Sequence, residues 1–308
     1  MNQERSKGIV GIFILIAFLF VIFLIFAGYT INSLRGSSKL GADASTKGSG
    51  SIAVVEVDGV IMSSRKTIQK LMLAEKNEEY KAILLRINSP GGAVGPTQEI
   101  YEEIRRIDKD KPIYASFGAV AASGGYYIGA GTRKIFANAG ALTGSIGVIM
   151  NFMNLSKLYE FAKVKPELIK AGKYKDIGST SRPMTTEERA MLEEMTLNVH
   201  EQFIQDIYKV RQKRVKGGLE GLRKYAQGQI FSGQGAKERG LVDELAGLYE
   251  SGRRIHKELK LKGEFGFSFI KIKRDITLSE IINGIEESVE DLSFNVKNHY
   301  IPLLIYKP

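Results

Sequence analysis

Residues 8–34 contain no Asp, Glu, Lys, Arg or His, and residues 9–27 consist wholly of Ile, Leu, Phe, Val, Ala and Gly. As an α-helix rising about 1.5 Å per residue, roughly 22 residues reach about 33 Å, enough to cross a hydrocarbon core of about 30 Å. A cleaved signal peptide would have an apolar region of about 7–15 residues followed by small residues, and Ala27-Gly28-Tyr29-Thr30 is a poor site of that kind. An uncleaved, single-pass anchor within residues 1–36 is therefore expected. Arg5 and Lys7 on one side, and Arg35, Lys39 and Lys47 on the other, give no positive-inside bias that orients it. A seven-residue tail is easily left in the cytosol, so the expected topology has a cytoplasmic amino terminus and an extracytoplasmic body. Residues 37–51, rich in Ser, Gly, Ala and Thr, read as a flexible linker.

Of the 308 residues, 44% are hydrophobic and 25% charged, which is globular composition with ample material for a core. From residue 52 the pattern alternates. Short apolar, β-branched runs at 52–57, 82–87 and 113–117 are separated by helix-length amphipathic stretches at 66–80 and 94–107. That alternation predicts βαβ units and a largely parallel sheet, an α/β fold. Further strands are expected at 134–137 and 145–150, and a Gly/Ala-rich segment at 118–132 implies close backbone approach. Residues 185–224 read as mostly helical, opening at Thr185 or Thr186 with Glu187 and Glu188 in the first turn. A last unit over 229–245, a helix to about 259 and a strand over 267–273 complete a domain spanning 52–275, followed by a tail over 276–308.

With no Cys in the chain, disulfides, thiolate metal sites and cysteine nucleophiles are excluded. The three His, at 200, 256 and 299, fall in charged helical or tail contexts and read as solvated surface imidazoles. No metal and no cofactor is expected. Phosphate-loop, dinucleotide and G-x-S-x-G signatures are absent. Three segments stand out, each just after a strand: Asn88-Ser89-Pro90-Gly91-Gly92, Ala121-Ala122-Ser123-Gly124-Gly125-Tyr126-Tyr127, and Leu142-Thr143-Gly144-Ser145-Ile146-Gly147. Ligands of open α/β sheets bind at such carboxyl ends of strands. Singly, each segment is explained by a tight turn or close helix packing. Together they suit acyl transfer, which needs a nucleophile, a base and amide donors for the oxyanion. Ser123 at a helix start would expose its hydroxyl beside the Gly124 N–H, while Gly91 and Gly92 would let a second amide approach. With no suitable His, the base must be another group such as Lys. An ordinary lysine, with a pKa near 10.4, is neutral in only about one molecule in 2,500 at pH 7, so burial has to disfavour its charge. Composition does not choose among 44 Lys and Arg.

The stretches INSPGG (87–92), AASGGYY (121–127), LTGSIGV (142–148), GKYKDIGS (172–179) and AQGQIFSGQGAKERGLVDEL (226–245) resemble the SppA-type signal peptide peptidases, membrane-anchored Ser-Lys proteases of the Clp protease/crotonase fold. The resemblance covers about residues 51–250 in order, and the chain is similar to the half-length form. It implies Ser123 as nucleophile, Lys175 as general base, Gly92 and Gly124 as oxyanion amides, and Ser145 as the residue that orients the lysine. It also implies hydrophobic peptide substrates, such as signal-peptide remnants, and a homo-oligomeric ring in which the dyad is shared between protomers. A stomatin-partner type protease of the same fold and a catalytically silent membrane scaffold remain alternatives.

Lys173 lies two residues before Lys175, so in an extended segment both would share a face; the Lys-Asp-Ile match selects Lys175. Asp176 would favour the charged lysine if it were close, and in an extended segment it points away. Residues 226–245 are expected to support the fold. The formal charge is +10, and residues 201–225 hold seven Lys or Arg against three Asp or Glu. This is read as solvated helix or a surface near lipid headgroups, not a nucleic-acid site, because aromatic interleaving is thin. The apolar run at 300–306 either packs on the body or adds as a strand to a peptide-binding groove.

Overall fold

The computed structural model describes residues 50–272, Phe20 and the strand Leu303–Ile305. The anchor expected at the amino terminus, most of the linker and the rest of the tail lie outside the described residues. Among the described residues no helix is long and apolar enough to cross a membrane.

Eight strands form one sheet: β1 (Ile52–Asp58), β2 (Ala82–Ser89), β4 (Ile113–Ala122), β5 (Lys134–Ala137), β6 (Leu142–Gly144), β7 (Ile230–Ser232), β8 (Glu244–Leu245) and β9 (Phe267–Phe269). The order is β7-β6-β4-β2-β1-β9, with β5 and β8 branching from β4. Every pairing is parallel except that of β6 with β7. β1 and β2 are almost continuously buried, as strands covered on both faces must be. One face carries the larger core, which includes Leu85, Ile104, Phe117, Tyr127 and Phe203. On the other face Ile52, Leu84, Tyr114, Phe136 and Ile255 pack together. This is the mixed α/β, parallel-rich architecture expected from the alternating pattern, and it is consistent with a Clp protease-like fold.

The helices follow the apolar periodicity. α1 (Arg65–Lys76) and α2 (Val94–Ile107) succeed β1 and the short strand β3 (Gly91–Ala93), and α2 buries Ile100, Tyr101, Ile104 and Ile107 on one stripe. α3 (Gly124–Ala130) and α4 (Ser156–Phe161) are short. α5 (Thr186–Arg211) opens with a full capping box between Thr185 and Glu188, satisfying amides that would otherwise lack partners. The helical stretch predicted for 185–224 is broken after Arg211, because Gly217 and Gly218 adopt positive φ of 78° and 62° before α6 (Gly218–Tyr225) begins. The strand predicted at 145–150 does not form either: β6 stops at Gly144, and Ser145 turns the chain with φ 50°.

One expectation about charge is corrected. Nε2 of both His200 and His256 is buried and lacks a partner among the described residues, so these are not solvated surface imidazoles; His299 lies outside the described residues. In the basic run at 201–225, Arg223 pairs with Glu201, Lys209 with Asp206, and Arg211 and Arg214 with Asp243, while Lys213, Lys216 and Lys224 are exposed, as a solvated helix surface has them.

Residues 226–245 do support the fold. β7 pairs with β6, the Ser232 hydroxyl caps α7 (Gly233–Glu238), and Asp243 anchors Arg211 before α8 (Leu248–Glu258) begins. Arg211 is fully buried. It donates to both Asp243 carboxylate oxygens at 3.0 and 3.2 Å and to the Gly240 carbonyl at 3.1 Å, while Asp243 also accepts the Ile135 N–H at 2.7 Å. Removing one member of a buried pair leaves the other charge uncompensated, so Arg211→Ala should lower unfolding free energy by about 3–5 kcal/mol in urea titrations.

Candidate active site

The three segments singled out in the sequence meet at the carboxyl ends of β2, β4 and β6. Ser89 lies opposite Ala121, and Ala122 lies opposite Gly144. β4 is ten residues long, and its two halves pair differently on one edge: Tyr114–Phe117 with β5, Val120–Ala122 with β6. The β6 pairing continues one residue further, since the Ser123 N–H donates to the Gly144 carbonyl at 2.8 Å. Ser123 and Ser145 thus leave neighbouring strand ends side by side.

Ser123 sits at φ 52°, ψ −117°, a region costly for a residue with a Cβ. The strain has a visible source. The strand register holds its N–H, and α3 starts at the next residue, with the Tyr127 N–H already donating to the Ser123 carbonyl at 2.8 Å. α3 lies hard against the Ser89 segment: a Cβ on Gly125 would stand 2.6 Å from the Ser89 carbonyl oxygen. Behind the turn, the Tyr126 hydroxyl donates to the Leu241 carbonyl at 3.0 Å and the Tyr127 hydroxyl to the Asp206 carboxylate. Burial pushes both phenols well above their ordinary range, so they serve as neutral struts. The expected exposed hydroxyl is not found. Ser123 is 1% exposed, and its Oγ donates to the Gly147 carbonyl at 3.5 Å, because strand, helix and the turn after Ser145 close over it.

Gly91 and Gly92 form the opposite wall. The Ser89 hydroxyl accepts the Gly91 N–H at 3.1 Å, and Gly91 takes φ 107°, open only to glycine. The Ile61 N–H donates to the Gly91 carbonyl and the Ala93 N–H to the Ile61 carbonyl, both at 2.8 Å. A Cβ on Gly92 would be 2.0 Å from the Ile61 oxygen. Because successive strand residues aim their polar groups at opposite edges, the Gly92 N–H and C=O face away from Ile61. On that edge lies β10 (Leu303–Ile305), antiparallel, with Leu304 opposite Gly92. The anchoring by Ser89 was missed in the sequence, although Ser before Pro-Gly is a recognisable turn signal.

Residues 173–178 form consecutive turns, not the extended segment expected, so Lys173 and Lys175 do not share a face by strand alternation. Lys173 is committed to Glu187 at 2.6 Å and Asp176 to Arg182 at 2.8 Å and to Lys170. Lys175 is exposed and its side chain has no hydrogen bond or ion pair among the described residues. The structure therefore sets Ser123 and Gly124 beside Ser145, with α3 packed near the strand that holds Gly92, and does not join Lys175 to Ser123 by a hydrogen bond within one chain.

The sequence profile of peptidase family S49 matches residues 105–262, and that of Clp protease residues 54–143. The chain belongs to peptidase family S49. Similar proteins include a putative protease of Synechocystis, 41% identical over 66% of this chain and 72% of the relative. Another is a putative protease of Methanocaldococcus jannaschii, 34% identical over 76% and 78%. A third is a putative signal peptide peptidase SppA of Enterococcus faecium, 35% identical over 68% and 59%. As an S49 serine peptidase the chain needs a nucleophile, and Ser123, buried at the strained end of β4, is the candidate the sequence singled out. Because Ser123 is held at φ 52°, Ser123→Gly should be more stable to urea than Ser123→Ala by about 1–3 kcal/mol. Equal stabilities would show the turn to be relaxed.

Proposed function

We propose that this S49 peptidase is a membrane-anchored endopeptidase that hydrolyses apolar peptides, signal-peptide remnants among them, with Ser123 as nucleophile and Lys175 as general base. The observation that carries the reading is the strained, enclosed Ser123, held at the end of β4 beside the Ser145 turn and directly before α3. In the proposed reaction the neutral Lys175 amine takes the Ser123 proton as Oγ attacks the peptide carbonyl. The N–H groups of Gly92 and Gly124 receive the developing oxyanion. The lysine ammonium then returns its proton to the leaving amine, and water hydrolyses the acyl-enzyme. Ser145, beside Ser123, holds the lysine nitrogen in line.

The dyad is proposed to form between two copies of the chain within a homo-oligomeric ring. Supporting this, the Lys175 side chain has no hydrogen bond or ion pair among the described residues, and the chain leading to it displays Phe161 at 86% exposure, with Leu158, Val164, Leu168 and Ile169 also exposed. Apolar side chains in such number on one segment suit a surface that another protomer covers. Entry into a neighbour's site would also desolvate the amine and favour its neutral form. The body is proposed to stand on the extracytoplasmic side, tethered by residues 1–36.

Peptide substrates are proposed to bind as β10 does, as an antiparallel strand on β3, which brings a backbone carbonyl to the Gly92 amide. The carboxyl-terminal strand would then compete with them, helped by a tethered concentration around the millimolar range.

Ser123→Ala and Lys175→Ala should each abolish hydrolysis of an apolar fluorogenic peptide and leave the circular dichroism spectrum intact, since nucleophile and base act as a unit. Lys173→Ala should stay active; the reverse pattern for the two lysines would overturn the assignment. A fluorophosphonate should label wild type and not Ser123→Ala. Co-expressing the two inactive variants should restore measurable activity, and none would refute a site shared between copies. Deleting residues 298–308 should lower the apparent KM for apolar peptides, whereas an unchanged KM would remove the competing role of the tail.

A further inference from the structure

The loop that carries Lys175 is held by ionic contacts that leave that lysine out. The ionisable groups around it are Lys170, Lys173, Tyr174 and Asp176 of the loop, Arg182 just beyond it, and Glu187 and Glu188 in the first turn of α5. Glu187 takes Lys173 on one carboxylate oxygen and the Tyr174 hydroxyl on the other. Glu188, whose side chain is only 4% exposed, accepts two bonds from the Arg182 guanidinium at 2.5 and 2.8 Å and also the Thr185 N–H at 2.9 Å. Arg182 then reaches back across the loop. Its Nε donates to Asp176 Oδ2 at 2.8 Å, and a terminal nitrogen donates to the Asp176 backbone carbonyl at 3.4 Å. Lys170 Nζ donates to the other oxygen, Oδ1. The Asp176 side chain is left 9% exposed.

Asp176 follows Lys175 directly, and a free carboxylate there would be the natural partner of a lysine ammonium. An opposite charge within about 4–6 Å favours the charged form by the equivalent of about 1–3 pH units. A general base has to be neutral to work, so such a pair would oppose catalysis. Here both Asp176 oxygens are taken by other cations.

We propose that Arg182, with Lys170, is a positioning residue that sequesters Asp176 from Lys175, so that the lysine is presented to the Ser123 site without a counter-ion. The inference rests on the reading of Lys175 as general base. Arg182 ties the loop to α5 through Glu188 and neutralises the chain neighbour of the base with the same guanidinium. Arg182 and Lys170 hold the Asp176 carboxyl well below the usual carboxylate range, and Arg182 with the Thr185 N–H brings Glu188 to about 2. A depressed folded value gives stability that is present above the ordinary carboxylate range and lost only as pH falls through the lowered value, so the clamp persists wherever a lysine base could function.

The test is a double-mutant cycle read on the pH dependence of kcat/KM, using the full-length chain and an apolar fluorogenic peptide. The rising limb should disappear with activity in Lys175→Ala; if activity and limb survive there, the general-base reading fails and this inference with it. With that established, Arg182→Gln should move the limb upward by about one pH unit, and Arg182→Lys should leave it near the wild-type position. Asp176→Asn should lower the limb more in the Arg182→Gln background than in wild type, because only there is Oδ2 released from its cation. Equal lowering in both backgrounds would mean that Arg182 acts through its own charge, and an unmoved limb with reduced kcat would make Arg182 merely structural; either overturns the proposal. Should Arg182→Gln fail to fold, Lys170→Gln removes the cation on Oδ1 and leaves the Glu188 contact in place. It must give the same upward move, again reversed more strongly by Asp176→Asn than wild type is; no move overturns the proposal.

Discussion

The hydrogen bond from the Ser123 N–H to the Gly144 carbonyl is the contact on which the site depends. It extends the parallel β4–β6 register one residue past the end of β4, so the chain must enter α3 without first leaving the sheet. Only an unusual backbone conformation makes that turn, and Ser123 adopts it. The cost of about 1–3 kcal/mol is borne by a surround that leaves no alternative. Gly125 lies against the Ser89 carbonyl, Tyr126 and Tyr127 brace the helix from behind, and the Ser145 turn closes over the hydroxyl.

The opposite wall is built by the same logic with glycine in place of strain. Ser89 bonds to the Gly91 amide and Ile61 takes up the polar groups of Gly91 and Ala93, which frees the Gly92 amide to face the edge on which β10 lies. The three-residue strand β3 therefore presents both the Gly92 amide and the edge on which β10 lies, while Gly124 belongs to α3 on the facing wall.

The lysine loop follows a different principle. It is held by charge and not by core burial, with Glu187 and Glu188 at the first turn of α5 acting as both helix-terminus acids and clamps. Such contacts are worth little on an exposed surface. In the proposed reading their value lies in which cations and carboxylates they remove from around Lys175, and the preceding stretch exposes Phe161, Leu168 and Ile169.

The alternation of apolar runs and amphipathic stretches determined the parallel α/β sheet, because periods of 2 and 3.6 residues are written locally. The capping residues Thr185 and Glu188, and the glycine-flanked Ser123, Gly92 and Ser145 at strand ends, were legible for the same reason: turn and cap chemistry is set by adjacent residues. What the sequence could not determine were features that depend on distant partners. The end of β6 at Gly144 and the burial of the Ser123 hydroxyl were set by packing across strands. The pairing of Arg211 with Asp243, which removes charge from an apparently basic helix, joins residues 32 apart. The turns at 173–178 replaced an extended segment because Glu187 and Arg182 hold them. Local periodicity carries no record of which charge will find which, so tertiary structure alone decided that Lys173 is paired and Lys175 is not.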